Sequence, residues 1–320
     1  MKTFCISGCS GFIGYNLSQE LLKQGYTVIG IDINPTRYQI SHWNKLKENP
    51  NFIGIEKDIC KITKFDIFEQ ALTQLKTITI DGIFHLAALA RVQYSIENPI
   101  ETTNTNIIGT INLLELCKEM KIKRFVFSSS SSIYGDQKIF KEDVIPRPMS
   151  HYAAQKLSCE FFCKICYDLF GIETISLRYF NVVGPEQDVN GDYANLVPKF
   201  INKALNNEDL PIWGDGETKR DFTSVYDVVR ANILAMNTNE QKCFGNVFNI
   251  GSGENYSVNE ITQMILNLTE SKSKPFHLPA VKGEPRNTLA DITKAKKLLK
   301  WIPKDNLENV LKKQIEQITT

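Results

Sequence analysis

Short apolar runs alternate with longer segments in which apolar residues recur at helical spacing over roughly the first half of the chain. Lys2 to Ser7 predicts a strand, and an amphipathic helix through Leu17, Leu21 and Leu22 follows, closed by Gly25. Thr27 to Ile31 is a second strand ending at Asp32, and Phe52 to Glu56 a third leading to Asp58 and Ile59. A helix around Ile67 to Leu75 precedes an apolar strand, Gly82 to Leu86, that runs into Ala87 and Ala88. Next come a long helix, Asn104 to Met120, a strand from Arg124 that opens into serines, a helix carrying Tyr152, and a strand at Glu173 to Arg178. Such alternation predicts an α/β fold with a doubly wound parallel sheet of Rossmann type, whose ligands gather at the carboxyl ends of the strands.

The texture changes after Arg178. Tyr179 to Pro185 leads into a polar loop and a helix from Leu196 to Leu205, and Ile212 to Gly216 reads as a turn. A helix, Tyr226 to Met236, and a strand, Asn246 to Ile250, are expected to return to the first domain. Beyond them, Val258 to Leu268 reads as helical, as does a lysine-rich segment from Thr293 to Trp301. The expected organisation is a cofactor domain over residues 1–178 with a return at 223–251, and a second, smaller α/β substrate-binding domain over 179–320.

Two stretches carry chemistry. Gly8, Gly11 and Gly14 fall in the turn between the first strand and the first helix, where glycines let backbone amides approach a pyrophosphate at a helix N-terminus. Asp32, at the end of the second strand, is placed to accept from a ribose 2′-hydroxyl and would repel a 2′-phosphate, which favours NAD over NADP; Arg37 lies nearby. The second stretch runs from Arg124 to Gly135 and continues at Ser150 to Lys156. Ser150 caps a helix on which Tyr152 and Lys156 share a face, with Leu157, Phe161, Phe162 and Ile165 expected to bury it. A free phenol titrates near ~10, and a cation one turn away together with the helix dipole favours the phenolate. Tyr134 and Lys138 repeat the spacing, but Gly135 and Asp136 mark a turn between them.

The 320 residues suffice for a large core in two lobes, and a net charge of +1 gives no electrostatic case for nucleic acid or a membrane surface. No apolar run approaches a membrane span, and Met1-Lys2-Thr3 enters a strand without a leader pattern, so a cytoplasmic protein is expected. Most of the eight cysteines sit in apolar periodic segments and read as small core residues. Cys163 and Cys166 lack a second ligand pair, and the four histidines show no ligand spacing, so no metal is expected.

With these motifs in view the whole chain resembles the extended short-chain dehydrogenase/reductases, the group of NAD-dependent nucleotide-sugar epimerases and dehydratases. Gly8 to Gly14, His85 to Ala88, Asn106 to Thr110, Ser128 to Gly135 with Tyr152 and Lys156, Arg178 to Gly184, Arg220 to Phe222 and Pro285 to Asp291 fall in family order. The resemblance implies that Gly8, Gly11, Phe12, Ile13 and Gly14 hold the pyrophosphate of NAD, Asp32 the adenosine ribose, and Asp58 and Ile59 the adenine. Leu86, Ala87, Ala88, Asn106 and Tyr179 would line the rest of the cofactor, with Lys156 also at the nicotinamide ribose. Ser130 matches the family's hydroxyl relay and Tyr152 its general base. Ser132, Asn181, Asn195 and Leu196 would meet the sugar and diphosphate, Arg220 and Arg286 would neutralise the diphosphate, and Trp213 would lie near the uracil.

The same resemblance implies inversion at C4 of a UDP-hexose through a 4-keto sugar. Dehydratases of the group carry an Asp-Glu pair after the relay hydroxyl, where this chain has Ser131 and Ser132. Thr288, where hexose-restricted relatives carry tyrosine, leaves room for an N-acetyl group, so UDP-GlcNAc/GalNAc stands beside UDP-Glc/Gal. Uronate 4-epimerases, 2-epimerases and a non-catalytic NAD sensor are the alternatives. His151 stands where proline is common, and the Asn104 and Tyr152 helices are expected to pair in a homodimer.

Overall fold

The computed structural model describes residues 2–33, 37–74, 79–137, 139–188, 195–280 and 287–319. Six strands, β1 (Thr3–Ser7), β2 (Thr27–Asp32), β3 (Phe52–Glu56), β4 (Gly82–His85), β5 (Arg124–Ser130) and β6 (Glu173–Tyr179), join the later strand Asn246–Ile250 in one seven-stranded sheet. All its pairs are parallel, and from one edge the order is Asn246–Ile250, β6, β5, β4, β1, β2, β3. The order turns back between β1 and β4, which makes their carboxyl ends the switch point of a doubly wound sheet.

Both faces of the sheet are dry, which is why its strands read as unbroken apolar runs. Phe4, Ile6 and Val126 face one side, packed with Leu17 and Leu21 of helix α1 (Phe12–Lys23) and with Val228 and Ala231 of the helix Val225–Asn237. Cys5, Phe125 and Phe127 face the other, against Leu113 and Cys117 of the helix Gly109–Glu119 and Cys159 and Cys163 of the helix His151–Phe170. A third cluster builds the second lobe from Phe200 and Ile201, Leu210 and Ile212, Ile261 and Ile265, and Val310 and Leu311. Its helices are Leu196–Leu205, Val258–Thr269 and Leu307–Thr319, beside a parallel pair of strands, Leu210–Trp213 and Pro275–Leu278.

Three local expectations are corrected, and one helix is added. Ile212 and Trp213 belong to a strand, and the turn begins at Gly214 with φ of 75°. The segment read as one helix from Asn104 is an α-turn at Pro99–Thr103, a π-turn at Asn104–Ile108 and only then the helix Gly109–Glu119. A helix at Arg37–Lys47 has no counterpart in the sequence reading, because from Gln39 onward only His42, Trp43 and Leu46 are buried, among mostly polar neighbours. The His151–Phe170 helix is capped by Ser150, whose hydroxyl accepts from the Ala153 N–H at 3.1 Å, yet its core face carries Tyr152, Ala153, Lys156, Cys159, Glu160 and Cys163. Phe161 and Ile165, expected to bury it, are 61% and 46% exposed.

One buried polar network ties the sheet together beneath the serine end of β5. Arg178 donates through Nε and Nη2 to Glu160 at 2.9 and 2.7 Å, and through Nη1 to the Tyr134 hydroxyl at 2.8 Å. Ser129 donates to Glu160, and Tyr134 to Asn249 at 2.7 Å. Burial pushes the Tyr134 phenol up to about 12, partly offset by Arg178. Removing one partner of a buried pair leaves an uncompensated charge. Arg178→Met is therefore expected to lower unfolding free energy in urea by about 3–5 kcal/mol; a loss under ~1 kcal/mol, the surface-pair range, would contradict this account of the network.

Candidate active site

The glycine turn leaves β1 with a sharp reversal. Gly8 has φ of 74° and its N–H donates to Ile31 O at 2.8 Å. A Cβ on Gly8 would stand 2.6 Å from the Ala87 nitrogen, and one on Gly14 only 1.9 Å from the Gly8 carbonyl oxygen. Glycine is thus required for the turn to sit against the chain leaving β4, at the switch point. Phe12 and Ile13 open α1, which Gly11 caps without a side chain. The acid at the end of β2 lies beside this turn: Asp32 Oδ2 accepts from the Ser10 N–H at 2.9 Å and from its hydroxyl at 2.5 Å. A glycine cradle, a helix N-terminus and a carboxylate in one crevice fit a dinucleotide with a free 2′-hydroxyl. Asp58 accepts from the Cys60 N–H at 2.9 Å, and Ile59 is buried against Gly109.

The opposite wall is held by a relay that composition and motif spacing did not reveal. Thr110 donates to Asn106 O at 2.6 Å, so its oxygen must accept from His85 Nε2–H at 2.8 Å. His85 Nδ1 is then left to accept from the Ser7 hydroxyl at 2.7 Å, and Ser7 Oγ accepts from the Ala87 N–H at 3.4 Å. Burial, aided by Lys156, brings the imidazole down to about 3, so His85 stays neutral. Asn106, in the π-turn, accepts from Leu89 N–H at 2.8 Å and donates to Leu89 O at 3.2 Å and Gln155 Oε1 at 2.8 Å. Both ends of the Leu86 to Ala88 wall are fixed this way. A polar residue closing an apolar strand, as in Phe84-His85, was the available signal.

Ser130, Tyr152 and Lys156 meet at the carboxyl end of β5. Lys156 is 3% exposed and donates to Ser128 O at 2.7 Å, with Nζ 5.8 Å from the centre of the Tyr152 ring. Ser130 caps the short helix Ser131–Tyr134 and shares a side-chain hydrogen bond with Tyr152. Ser132 Oγ is buried without a partner. The sequence predicts a phenol made acidic by Lys156, and here the balance differs. Burial dominates and pushes the Tyr152 phenol up to about 12, while the Ser130 bond and the charge of Arg91 pull it down. Burial likewise lowers the Lys156 ammonium to about 8. Both shifts disfavour the charged forms, so the phenol needs further positive charge beside it before it can act as a base.

Arg91 was not read from the sequence. It donates to Asn195 Oδ1 at 3.0 Å, which bridges the loop after β4 to the cap of the helix Leu196–Leu205, and desolvation lowers its guanidinium while Asp188 and Tyr152 raise it. On the second-lobe side, Asn181 donates to Asp221 O at 2.8 Å. Thr288, 7% exposed, accepts from the Asp221 N–H at 3.2 Å, just after the strand Lys219–Arg220, which leaves its O–H free to donate. The Asp221 carboxylate accepts from Ser252, Gly253 and Ala290, which fixes that strand end. Leu196 is half-buried, and Trp213 is 53% exposed at the end of its strand. Tyr179, paired with Ser130 across the sheet, is buried with its hydroxyl exchanging bonds with Asn232 and also bonded to Ser128. Arg286 and Lys138 lie outside the described residues.

The model of the NAD-dependent epimerase/dehydratase family matches residues 4–251. A UDP-glucuronate 4-epimerase of Thermodesulfobacterium geofontis is 36% identical over 323 residues, covering 98% of this chain and 95% of that protein. Among solved structures, a UDP-glucose 4-epimerase of Thermotoga maritima with UDP-glucose is 35% identical with a TM-score of 0.88, covering 99% of this chain and 98% of its own. A UDP-N-acetylglucosamine 4-epimerase of Methanobrevibacter ruminantium, in complex with UDP-N-acetylmuramic acid, is 33% identical with a TM-score of 0.90 over 99% and 98%.

Because Arg91 lowers the Tyr152 phenol, Arg91→Met should raise it further. Turnover that needs this phenol as a base then loses rate at neutral pH, about tenfold per unit on the ascending limb, which moves to higher pH. A pH–rate profile with an unmoved limb would show that the guanidinium does not act on the phenol.

Proposed function

The chain belongs to the NAD-dependent epimerase/dehydratase family, and from that premise we propose that it inverts C4 of a neutral UDP-hexose. UDP-glucose/UDP-galactose and their N-acetylamino counterparts are the substrates in view. The observation that carries this reading is the meeting of Ser130, Tyr152 and Lys156 at one strand end, followed by Ser131 and Ser132 where elimination would need a second acid/base pair. Glu160, the nearest buried carboxylate on the same helix, is committed to Arg178 and Ser129.

NAD, held by the Gly8 to Gly14 turn and Asp32, supplies a hydride acceptor and donor at one carbon and, when oxidised, a positive charge. Ionised under the positive charges of Lys156, Arg91 and oxidised NAD, Tyr152 takes the proton of the C4 hydroxyl, with Ser130 within hydrogen-bond reach to pass it, and later returns it. Lys156 holds the phenol's surroundings cationic and, through Ser128, fixes the helix against β5. Arg220, Asn181 and Asn195 grip the diphosphate, so that the 4-keto sugar can turn about that anchor and present its other face. Uronate C4 inversion is the second reading. It is favoured by Arg91, whose charge beside Tyr152 suits a C6 carboxylate, and by the likeness to a UDP-glucuronate 4-epimerase.

We also infer a homodimer in a reducing, cytoplasmic setting. All eight cysteines, Cys60 half-buried and the others buried, carry thiols raised by burial, and no described helix is long and apolar enough to cross a membrane. Phe161, Ile165 and Leu169 form an exposed stripe at i, i+4 spacing, with Ile100 and Ile108 exposed on the neighbouring segment.

Proton NMR of the purified protein with UDP-Glc, UDP-GlcNAc and UDP-GlcA in separate tubes, without added cofactor, is expected to yield the C4 epimer of a neutral hexose. Conversion of the uronate alone would select the second reading, and no epimer from any would overturn C4 inversion. Tyr152→Phe should cut the rate by roughly 10²–10⁴-fold. Light scattering should give a dimer, and the double variant Phe161→Glu/Leu169→Glu a monomer; a wild-type monomer would remove the dimer.

A further inference from the structure

A buried histidine that the proposed chemistry does not use connects the cofactor turn to the second lobe. His42, on the helix Arg37–Lys47, is 1% exposed. Its Nδ1 lies 2.9 Å from the carbonyl oxygen of Ser10, inside the glycine turn, and its Nε2 lies 2.8 Å from Glu186 Oε2. A backbone carbonyl and a carboxylate can only accept, so both ring nitrogens must donate, and a histidine donating from both is an imidazolium. The alternative, a neutral ring against a protonated Glu186, is disfavoured because the His42 bond holds the Glu186 carboxyl below the ordinary range. The Tyr15 ring of α1 covers the imidazolium face to face, with centroids 4.0 Å apart and planes 12° from parallel, the geometry in which a cation is favoured over an aromatic face.

The two ends of this contact belong to different parts of the molecule. Ser10 has its N–H and hydroxyl on Asp32 and its carbonyl on His42, so every polar group of that residue is held, and with it the peptide that leads into Gly11 and Phe12. Glu186 stands just after Pro185, in a backbone conformation with φ of 69° that a non-glycine residue adopts only when its surroundings fix it. Its N–H donates to Gln317 Oε1 at 3.0 Å, on the last helix of the second lobe, and Asn16 of α1 donates to Pro185 O at 3.2 Å. Among the described residues Lys45, Tyr15 and Tyr226 also interact electrostatically with Glu186, and Glu48 acts on Tyr15. A neutral imidazole has one N–H and could serve only one of its two acceptors.

We propose that His42 is a positioning residue for the cofactor: with Glu186 it forms an ionic clasp that locks the glycine turn to the second lobe, so that nucleotide bound in the lobe tightens the hold on the dinucleotide. The proposal rests on the reading of the Gly8 to Gly14 turn as the pyrophosphate site. It addresses a requirement that C4 inversion imposes, since the cofactor must stay bound while the sugar turns over. Coupling of this kind is reciprocal: whatever factor UDP contributes to NAD affinity, NAD contributes to UDP affinity.

The test uses the full-length protein stripped of nucleotide, with calorimetric titration of NAD in the absence and presence of saturating UDP. In the wild type UDP should tighten NAD. His42→Gln should weaken NAD by about tenfold to a hundredfold, the loss expected of a charge-assisted hydrogen bond, and should bring the UDP effect close to none. Glu186→Gln, at a side chain 20% exposed and still able to accept one hydrogen bond, keeps the fold and should abolish the UDP effect with a smaller loss of NAD affinity. A purely structural role would lower the thermal midpoint without touching the UDP effect. Variants that bind NAD as the wild type does, or that keep the full UDP effect, would overturn the clasp. A wild type that binds no NAD at all would instead overturn the reading of the turn, and the clasp with it.

Discussion

A single ammonium group buried against a backbone carbonyl sets the geometry of the crevice. Lys156 has almost no contact with water, and its bond to Ser128 O pins the helix His151–Phe170 to the carboxyl end of β5. The cost of that burial is visible in the lowered proton affinity of the lysine. A lysine placed there for stability alone would be poorly chosen, since an apolar side chain would fill the same space without the desolvation penalty. What the charge brings is a fixed cation 5.8 Å from the Tyr152 ring, on the side of the sheet where β1 and β4 part.

The rest of the molecule makes that location usable. Beneath it, Arg178 and Glu160 clamp β6 to the same helix, so Ser130 and Tyr152 inherit a rigid frame. Across from it, the chain from Ala87 through Ser7, His85 and Thr110 to Asn106 holds the wall of the crevice with no charge at all. Arg91 then reaches over the mouth to Asn195 and ties the two lobes at the level of the phenol. Uncharged relays hold the wall beside the glycine turn, and the cations of Lys156 and Arg91 stand on the side of the phenol.

How much of this could be read from the sequence follows from how local each signal is. The sheet strands were legible because parallel strands buried on both faces are continuous apolar runs, and Gly8, Gly11 and Gly14 announce their turn by composition alone. Tyr152 and Lys156 are one helical turn apart, so their convergence is local. Arg91 was not legible, since its partners Asn195 and Tyr152 are brought to it only by the tertiary fold. The same holds for His42, which meets Ser10 and Glu186 from distant segments. Periodicity also misled at Phe161 and Ile165: an apolar stripe on a helix says that the stripe is to be covered, but not by what.

In the proposed cycle one carbon gives up hydrogen to a held cofactor and receives the same hydrogen back. The most direct measurement starts from a UDP-hexose carrying deuterium at C4 and follows its epimer by mass spectrometry in ordinary water. Full retention of the label at C4 in the product, without added NAD, is the result this account predicts. Loss of the label to solvent would contradict it, because proton abstraction from carbon rather than hydride return would then be the route of inversion.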